Sequence, residues 1–414
     1  MKYLPQVDPE INGLIERECQ RQDKVVRLIA SENYASAAVM EATGSCLTNK
    51  YSEGYPYQRY YQGQEFIDKI EEIAINRLQA LFGVEHVNVQ PYSGSPANQA
   101  VYMAVLKPGD RVLGMDLAAG GHLTHGAKVS FSGKFYDARH YGLNPDTGMI
   151  DYDQLRAMAK EFQPKMIISG GSAYPRIFDF AAFRSIADEV GAVHMADISH
   201  FSGLCLAGLH PHPVPHAQII TSTTHKMLRG PRGGVIMCEQ SWASKIDKAV
   251  FPGLQGGPHN HVTAAIAVAA KEANTPEYLE YCRQTVKNAQ ALAQGLLDAG
   301  FGLVSGGTDT HLILLDATPL RLTGKKLAVS MEQAGLVANA NKIPFDPRPA
   351  NDPSGVRLGA PSITSRGMKE PEMAKIAEFI AQVAKNPDDA AILAGIKKQV
   401  EQLCSCFPAP GLVL

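Results

Sequence analysis

The chain carries almost no net charge: 39 lysines and arginines against 41 acids leave −2 at pH 7 with histidine neutral. Lysine- and arginine-rich runs are absent as well. Together these exclude the broad positive field that draws a protein to nucleic acid or to an anionic membrane. No apolar stretch approaches the roughly 20 residues that span a bilayer. The N-terminal MKYLPQVDPEINGLIEREC lacks the apolar core of a secretion signal, so the expected compartment is the cytoplasm. Cysteine is sparse too. Seven are scattered over 414 residues, an odd number that makes a poor disulfide framework. Cys404 and Cys406 form a C-x-C with no second pair or histidine nearby, and HPHPVPH at 210–216 is a proline-stiffened loop without an acid or thiol beside it. No metal site is expected from either. Internal repeats and low-complexity tracts are missing.

What is present is an ordinary globular composition, 45% hydrophobic and 19% charged, in a chain long enough for two or three domains. Residues 68–82, DKIEEIAINRLQALF, place Ile70, Ile73, Ala74, Leu78 and Leu81 at helical spacing, and Gly83 supplies a helix stop. From there short aliphatic runs alternate with helical stretches: HVNVQP (86–91), DRVLGM (110–115), PKMIISG (164–170), GAVHMAD (191–197), AQIITST (217–223) and GGVIMCE (233–239). Runs of four to six β-branched or aliphatic residues are what strands buried on both faces require. Their alternation with helices predicts an α/β fold with a largely parallel sheet. Beyond a long helix ending in NAQALAQGLLDAG come HLILLD, GLVANA and the helical MAKIAEFIAQVAK, enough for a smaller C-terminal α+β domain. The expected division is an N-terminal segment over 1–50, a large domain over 51–280 and a small one over 281–414.

The residues with chemistry in them cluster at the ends of these strands. Lys226 lies in TSTTHKMLRGPRGG, just past the strand AQIITS, with hydroxyls at Thr221, Ser222, Thr223 and Thr224 on the approach and a glycine-rich turn after it. Asp197 ends GAVHMAD and shares a strand face with Val193 and Met195. His200 follows three residues later. Ser93-Gly94-Ser95-Pro96 opens the helix SPANQAVYMAVL with good N-terminal residues, and such an end binds phosphate through its free N–H groups. His122 sits in AGGHLTHG. Read singly, each has a structural alternative: a solvated lysine, a strand-end aspartate, a satisfied loop histidine, an ordinary helix cap. Read together, they supply what pyridoxal phosphate requires: a lysine to carry it, an acid for its ring nitrogen, a phosphate cradle and a ring-covering histidine. In an open α/β sheet such a ligand sits at the carboxyl ends of strands.

Ordered along the chain, LIASENY (28–34), NKYSEGYP, RYY, SGS, GGHLTHG, SAYPR, ADISHFSGL, TTHKMLRGPRGG, QGGP, SGGTDTH, IPFDP and SGVRLGAP closely resemble the serine hydroxymethyltransferase family, fold-type I pyridoxal-phosphate enzymes. The match covers nearly the whole chain. The resemblance implies a large domain with a mostly parallel sheet and a smaller C-terminal α+β domain. It implies Lys226 as the Schiff-base lysine, Asp197 as partner of the pyridinium nitrogen, and His122 as the stacking histidine. Ser172 and His200 are implied as contacts to the ring hydroxyl and substrate, with His200 and Thr223 among the catalytic residues and His225 among those that bind the cofactor. Ser93, Gly94 and Ser95 become the phosphate cradle, with Gly257 reaching in from a second subunit. Ser31 and Arg357 become the substrate-carboxylate pair. Tyr51, Glu53 and Tyr61 are implied to act across the interface of a homodimer, or of a dimer of dimers. Glu53 would then be the acid/base at the substrate hydroxyl, and Asn341 a folate contact.

The implied reaction moves a one-carbon unit between serine and tetrahydrofolate. The chain departs from the family pattern in several places. Tyr57, Gln58 and Gln62 stand for glycine, lysine and glycine, Tyr92 and Ala119 for histidines, Leu254 for glycine and Ala340 for lysine. Ala360-Pro361-Ser362 stands for Thr-Pro-Ala. Either the bulk at Tyr57, Gln62 and Leu254 narrows the folate region, or these loops have shifted outward. The first case leaves a second reaction open: a folate-independent aldolase or transaldolase acting on α-methylserine or another β-hydroxy amino acid. The intact Lys226, Asp197, His122 and Arg357 argue against a non-catalytic scaffold.

Overall fold

The aliphatic runs become strands wherever both of their faces can be covered. In the computed structural model, which describes residues 3–412, the six runs and one further segment form a seven-stranded sheet: β1 (His86–Asn88), β2 (Arg111–Met115), β3 (Asp137–Tyr141), β4 (Met166–Ser169), β5 (Val193–Asp197), β6 (Ile219–Thr223) and β7 (Gly234–Cys238). Their spatial order is β1-β7-β6-β5-β4-β2-β3. Neighbours pair in parallel except for β7, which runs antiparallel to both β1 and β6. The chain is therefore α/β with a mostly parallel sheet, as expected. The central strands β4, β6 and β7 are buried at every residue, whereas β3 at the sheet's edge alternates between exposed and partly buried positions until its last residue, the buried Tyr141. That alternation lacks the continuous apolar run of its neighbours, which is why DARHY does not read as a strand.

Helix α1 (Glu65–Phe82) ends on Gly83, whose φ of 63° is the left-handed conformation glycine adopts without a Cβ clash. It begins three residues earlier than the periodicity suggests. It buries Ile67, Ala74, Leu78 and Phe82 while Ile73 faces outward. Helix α2 (Gly94–Val105) lays Ala97, Val101 and Tyr102 against Val112, Met166, Ile168, Met195, Ile219 and Ile236 of the sheet. A further helix, α3 (Asn260–Ala273), packs along α1.

Two units emerge from the pattern of contacts: Ala38–Arg283, which contains everything above, and a second made of residues up to Ala37 together with Gln284 onward. The second unit holds an antiparallel sheet. Its central strand β8 (Leu312–Asp316) lies between the two-residue strand Gly302–Leu303 and β10 (Gly355–Gly359), and β9 (Asn339–Asn341) lies outside β10. Val26–Arg27 pairs in parallel with Leu336–Val337. Val26 and Leu28 join a core with Leu292, Ile313, Leu315, Val356, Leu358, Ile376 and Phe379. A segment over 1–50 set apart from both domains is accordingly corrected. Residues up to Ala37 group with the C-terminal unit because only there do Val26 and Leu28 bury their side chains. Residues 38–50 group with the large sheet. Among the described residues no helix is long and apolar enough to cross a membrane.

Candidate active site

The carboxyl ends of β5 and β6 bring the sequence-marked residues of the larger unit together. Asp197, the last residue of β5, is buried, yet both of its oxygens are engaged. Oδ2 accepts from Asn98 Nδ2 at 2.9 Å and lies 3.2 Å from His125 Nε2, while Oδ1 accepts from the Ser199 N–H at 3.0 Å. Burial alone would raise this carboxyl. The His125 hydrogen bond and the electrostatic pull of the His125 and His122 imidazoles outweigh burial and hold it far below the usual carboxylate range. Asn98 Nδ2 also donates to Thr124 Oγ1 at 2.8 Å, and Thr124 Oγ1 is 2.7 Å from His122 Nδ1. His122, half-buried, is thus tied to Asp197 through two intervening side chains.

His122, His125 and Asp197 each bring a ligand atom within 4.8 Å of one another, a spacing that suits a metal ion. Here the groups are already spent on each other: His125 Nδ1 accepts from the His122 N–H, and Asp197 uses both oxygens. Asn98, Thr124, His125 and Ser199 are the members the sequence reading missed. Their signal was positional. Asn98 sits one turn into the helix opened by Ser93, and His125 is three residues past His122.

The loop after β5 is fastened to the end of β6. Thr223 N donates to Ser199 Oγ at 3.0 Å and Thr223 Oγ1 to the Ser199 carbonyl at 3.4 Å. His200 is buried in the same loop. Ser93 precedes α2 in an extended conformation, leaving the N–H groups of the first turn without partners inside the helix. A Cβ at Gly94 would lie 2.7 Å from Thr223 Cγ2, and one at Gly234 only 2.4 Å from the Ser93 carbonyl. The turn at the head of α2 is therefore pressed directly onto β6 and β7.

Lys226 is 9% exposed. A tight turn fixes its backbone: Arg229 N donates to the Lys226 carbonyl at 3.2 Å, Gly230 N to the Thr224 carbonyl at 2.7 Å, and Thr224 Oγ1 to the Pro231 carbonyl at 2.7 Å. Beside it, burial and then the positive charges of Arg232 and Lys226 push the His225 imidazole down to about 3, so it is neutral. Its Nδ1 is buried and has no hydrogen-bond partner, a polar atom left over for something the protein itself does not supply. Ser172, half-buried, donates its N–H to the Gly120 carbonyl at 2.7 Å.

Tyr51, Glu53, Tyr61 and Gly257 gather in a second cluster of the same unit. Tyr51 OH lies 3.3 Å from Glu53 Oε1, the Tyr51 and Tyr61 rings meet edge-on at 5.4 Å, and a Cβ on Gly257 would touch the Tyr51 ring at 3.1 Å. In the other unit, Arg357 lies on β10. Its Nε donates to Asn339 Oδ1 at 3.0 Å, and burial lowers the guanidinium to about 10. Gly359 N donates to the Leu28 carbonyl and Ser362 Oγ to the Glu32 carbonyl. These bonds hold the LIASENY segment, with half-buried Ser31, against the end of β10. Asn341 Nδ2 donates to the Lys342 carbonyl at 2.7 Å.

A family model described as serine hydroxymethyltransferase matches residues 4–380. Proteins named serine hydroxymethyltransferase match the chain end to end. The one from Desulfotalea psychrophila is 58% identical over 412 residues, covering 100% of this chain and 97% of its own. Those from Sorangium cellulosum and Acidothermus cellulolyticus are each 56% identical, over 414 and 415 residues, covering 100% and 99% of this chain and 98% and 97% of theirs. The chain belongs to the serine hydroxymethyltransferase family. As a family member it is a pyridoxal-phosphate-dependent transferase.

Against the serine hydroxymethyltransferase pattern, four of the altered positions can be placed locally. Tyr57 is the second residue of the two-residue turn between strands Gly54–Tyr55 and Gln58–Arg59, at φ 63°, where glycine is the easy choice. The residue is 66% exposed and its hydroxyl donates to Glu72 Oε2 of α1 at 2.9 Å, so it turns outward rather than filling the loop. Gln62 is exposed as well, its carbonyl taking a bond from Lys50 Nζ at 2.8 Å. Leu254 is exposed. Tyr92 stacks on His259 with ring centres 4.1 Å apart and donates its hydroxyl to the Gly257 carbonyl at 2.9 Å.

Proposed function

We propose that this enzyme transfers the hydroxymethyl group of serine to tetrahydrofolate, yielding glycine, with pyridoxal phosphate carried by Lys226. The full-length identity of 56–58% to proteins of that name carries the reading. It also disfavours the folate-independent α-methylserine alternative, whose main support was bulk at Tyr57, Gln62 and Leu254. All three side chains are exposed on the single chain rather than packed into their own loops.

The residues fit the cofactor on three counts: a charged carboxylate ending a buried strand, an unpartnered His225 Nδ1 beside a buried lysine, and a helix start where glycine alone leaves room. When bound, the cofactor supplies an electron sink for bonds broken at the amino acid's α-carbon. Asp197 would keep the ring nitrogen protonated. It is fitted to do so because Asn98, His125 and Ser199 hold it ionised. Ser93, Gly94 and Ser95 would receive the phosphate on free N–H groups. His122 would cover the ring, with Ser172, His200, Thr223 and His225 around it. Ser31 and Arg357 would hold the substrate carboxylate, the guanidinium through two parallel bonds. Glu53 would take the proton from the serine hydroxyl as Cα–Cβ breaks, with Tyr51 and Tyr61 beside it, and Asn341 would contact the folate.

Exposed rings at Tyr51, Tyr57, Tyr60, Tyr61 and Phe66 concentrate on one short stretch of the larger unit. We assign that stretch, with Gly257, to the interface of a homodimer or dimer of dimers working in the cytoplasm. Glycine formation from serine, measured with and without tetrahydrofolate, tests the reaction. Equal rates in both would overturn it. Sedimentation of the active enzyme as a monomer would overturn the assembly.

A further inference from the structure

Glu53 stands in a stretch that ought to be loose. It is flanked by Ser52 and Gly54, next to exposed tyrosines, with no long element to stiffen it. Yet three successive carbonyls around it are held. Arg59 Nη1 donates to the Ser52 carbonyl at 3.0 Å and to the Gly54 carbonyl at 2.8 Å, one on either side of Glu53. The Glu53 carbonyl itself accepts from Tyr60 N at 3.1 Å. Gln90 Nε2 adds a second bond to the Gly54 carbonyl at 2.9 Å. Gly54 has φ +98° and would place a Cβ 2.4 Å from the Gln58 carbonyl, so only glycine fits the turn that Arg59 grips.

The guanidinium is itself locked. Its Nε donates to Asp68 Oδ1 at 2.9 Å and Nη2 to Glu71 Oε2 at 2.6 Å, with the three side chains 2%, 9% and 2% exposed. Glu71 Oε1 also receives Gln90 Nε2 at 2.8 Å. Gln90 lies two residues past β1 and three before Ser93. A buried set of one cation and two acids is expensive to desolvate, and well-packed apolar side chains would stabilise the fold as well or better. What apolar groups cannot do is donate to the carbonyls that bracket Glu53. Lysine cannot do it either, having one nitrogen where arginine spreads a planar fork over four acceptors.

We infer that Arg59, locked by Asp68, Glu71 and Gln90, is a positioning residue for Glu53, fixing the backbone from which its carboxylate acts and tying it to the strand end that leads into the Ser93–Ser95 turn. This rests on Glu53 being the acid/base of serine cleavage, and the test separates the two ideas.

Arg59→Lys is made in the holoenzyme alone and combined with Glu53→Gln, beside Glu53→Gln itself. Turnover of serine with tetrahydrofolate is read together with the absorbance of the bound cofactor. A displaced acid/base group slows turnover by about 10²-fold, so Arg59→Lys is expected to lower kcat by that order. The serine KM should change less than about threefold and the cofactor band should stay intact. In the Glu53→Gln background the same change is expected to alter kcat less than about twofold, since residues acting as one unit do not add. An equal fold-loss in both backgrounds would make Arg59 a structural residue and overturn the inference. A Glu53→Gln enzyme as fast as the parent would overturn the acid/base reading itself. Should Arg59→Lys fail to fold, Gln90→Met removes the second donor to the Gly54 carbonyl, leaves the arginine's ion pairs in place, and gives the same two-background comparison.

Discussion

Gly94→Ala offers the sharpest quantitative check on the site. The backbone at Gly94 is ordinary right-handed helix, so alanine is allowed there by conformation. Alanine should even favour the helix by about 0.5–1 kcal/mol. Space alone forbids it. The new Cβ would stand 2.7 Å from Thr223 Cγ2, well inside the ~3.5–4.0 Å at which carbons attract. Thr223 cannot swing aside freely, because its N–H and hydroxyl both bond to Ser199. Overpacking of this kind costs about 1–3 kcal/mol.

Set against the helical gain, the net is about 0.5–2 kcal/mol. It falls on the first turn of α2, where the phosphate would sit. If the turn moves rather than Thr223, the cofactor binds about two- to thirtyfold more weakly, at 1.4 kcal/mol per tenfold. Thr223→Ser removes the offending methyl and keeps the hydroxyl, so the double variant should recover most of the affinity. Titration of the apoenzyme with pyridoxal phosphate, followed by absorbance, measures both. Parent-like affinity in Gly94→Ala, or no recovery in the double variant, would refute the steric account.

Lys226→Ala should lose the visible band of the lysine-bound cofactor and turnover by at least about 10³-fold; borohydride labelling of any other lysine in the parent enzyme would refute the assignment. His194, fully buried between Ser169 Oγ and the His216 carbonyl, is pushed by burial from 6.5 down to about 4. Its folded pKa is depressed, so the unfolded chain binds the proton first. Stability present above about pH 6.5 is lost as pH falls through about 4, by about 3 kcal/mol in all, and urea midpoints between pH 7 and 4 together with the imidazole's own titration check it. Tyr57→Gly relieves a left-handed residue and should raise stability by up to about 1 kcal/mol while leaving the folate KM unchanged; a tenfold change in that KM would mean that the ring faces the ligand after all.

Much of this was legible in the chain. Strand cores in PKMIISG, GAVHMAD and AQIITST are dictated by aliphatic runs that only a doubly covered sheet can bury. Lys226, Asp197 and Ser93–Ser95 stood out because their chemistry falls at strand ends and a helix start. What tertiary structure alone decided are the partners. Asn98, His125 and Ser199 converge on Asp197 from 99, 72 and 2 residues away. No local pattern marks an amide or an imidazole as the group that keeps a distant carboxylate ionised. The edge strand β3 and the reversal of β7 belong to the same class, since pairing partner and direction are set by what lies alongside. So does the N-terminal stretch, whose Val26 and Leu28 are buried among residues some 260 to 350 positions on. Sequence fixes what each residue can do over a few neighbours, through period, charge and backbone freedom. Which distant group it does it to depends on long-range packing, and no period in the chain encodes that.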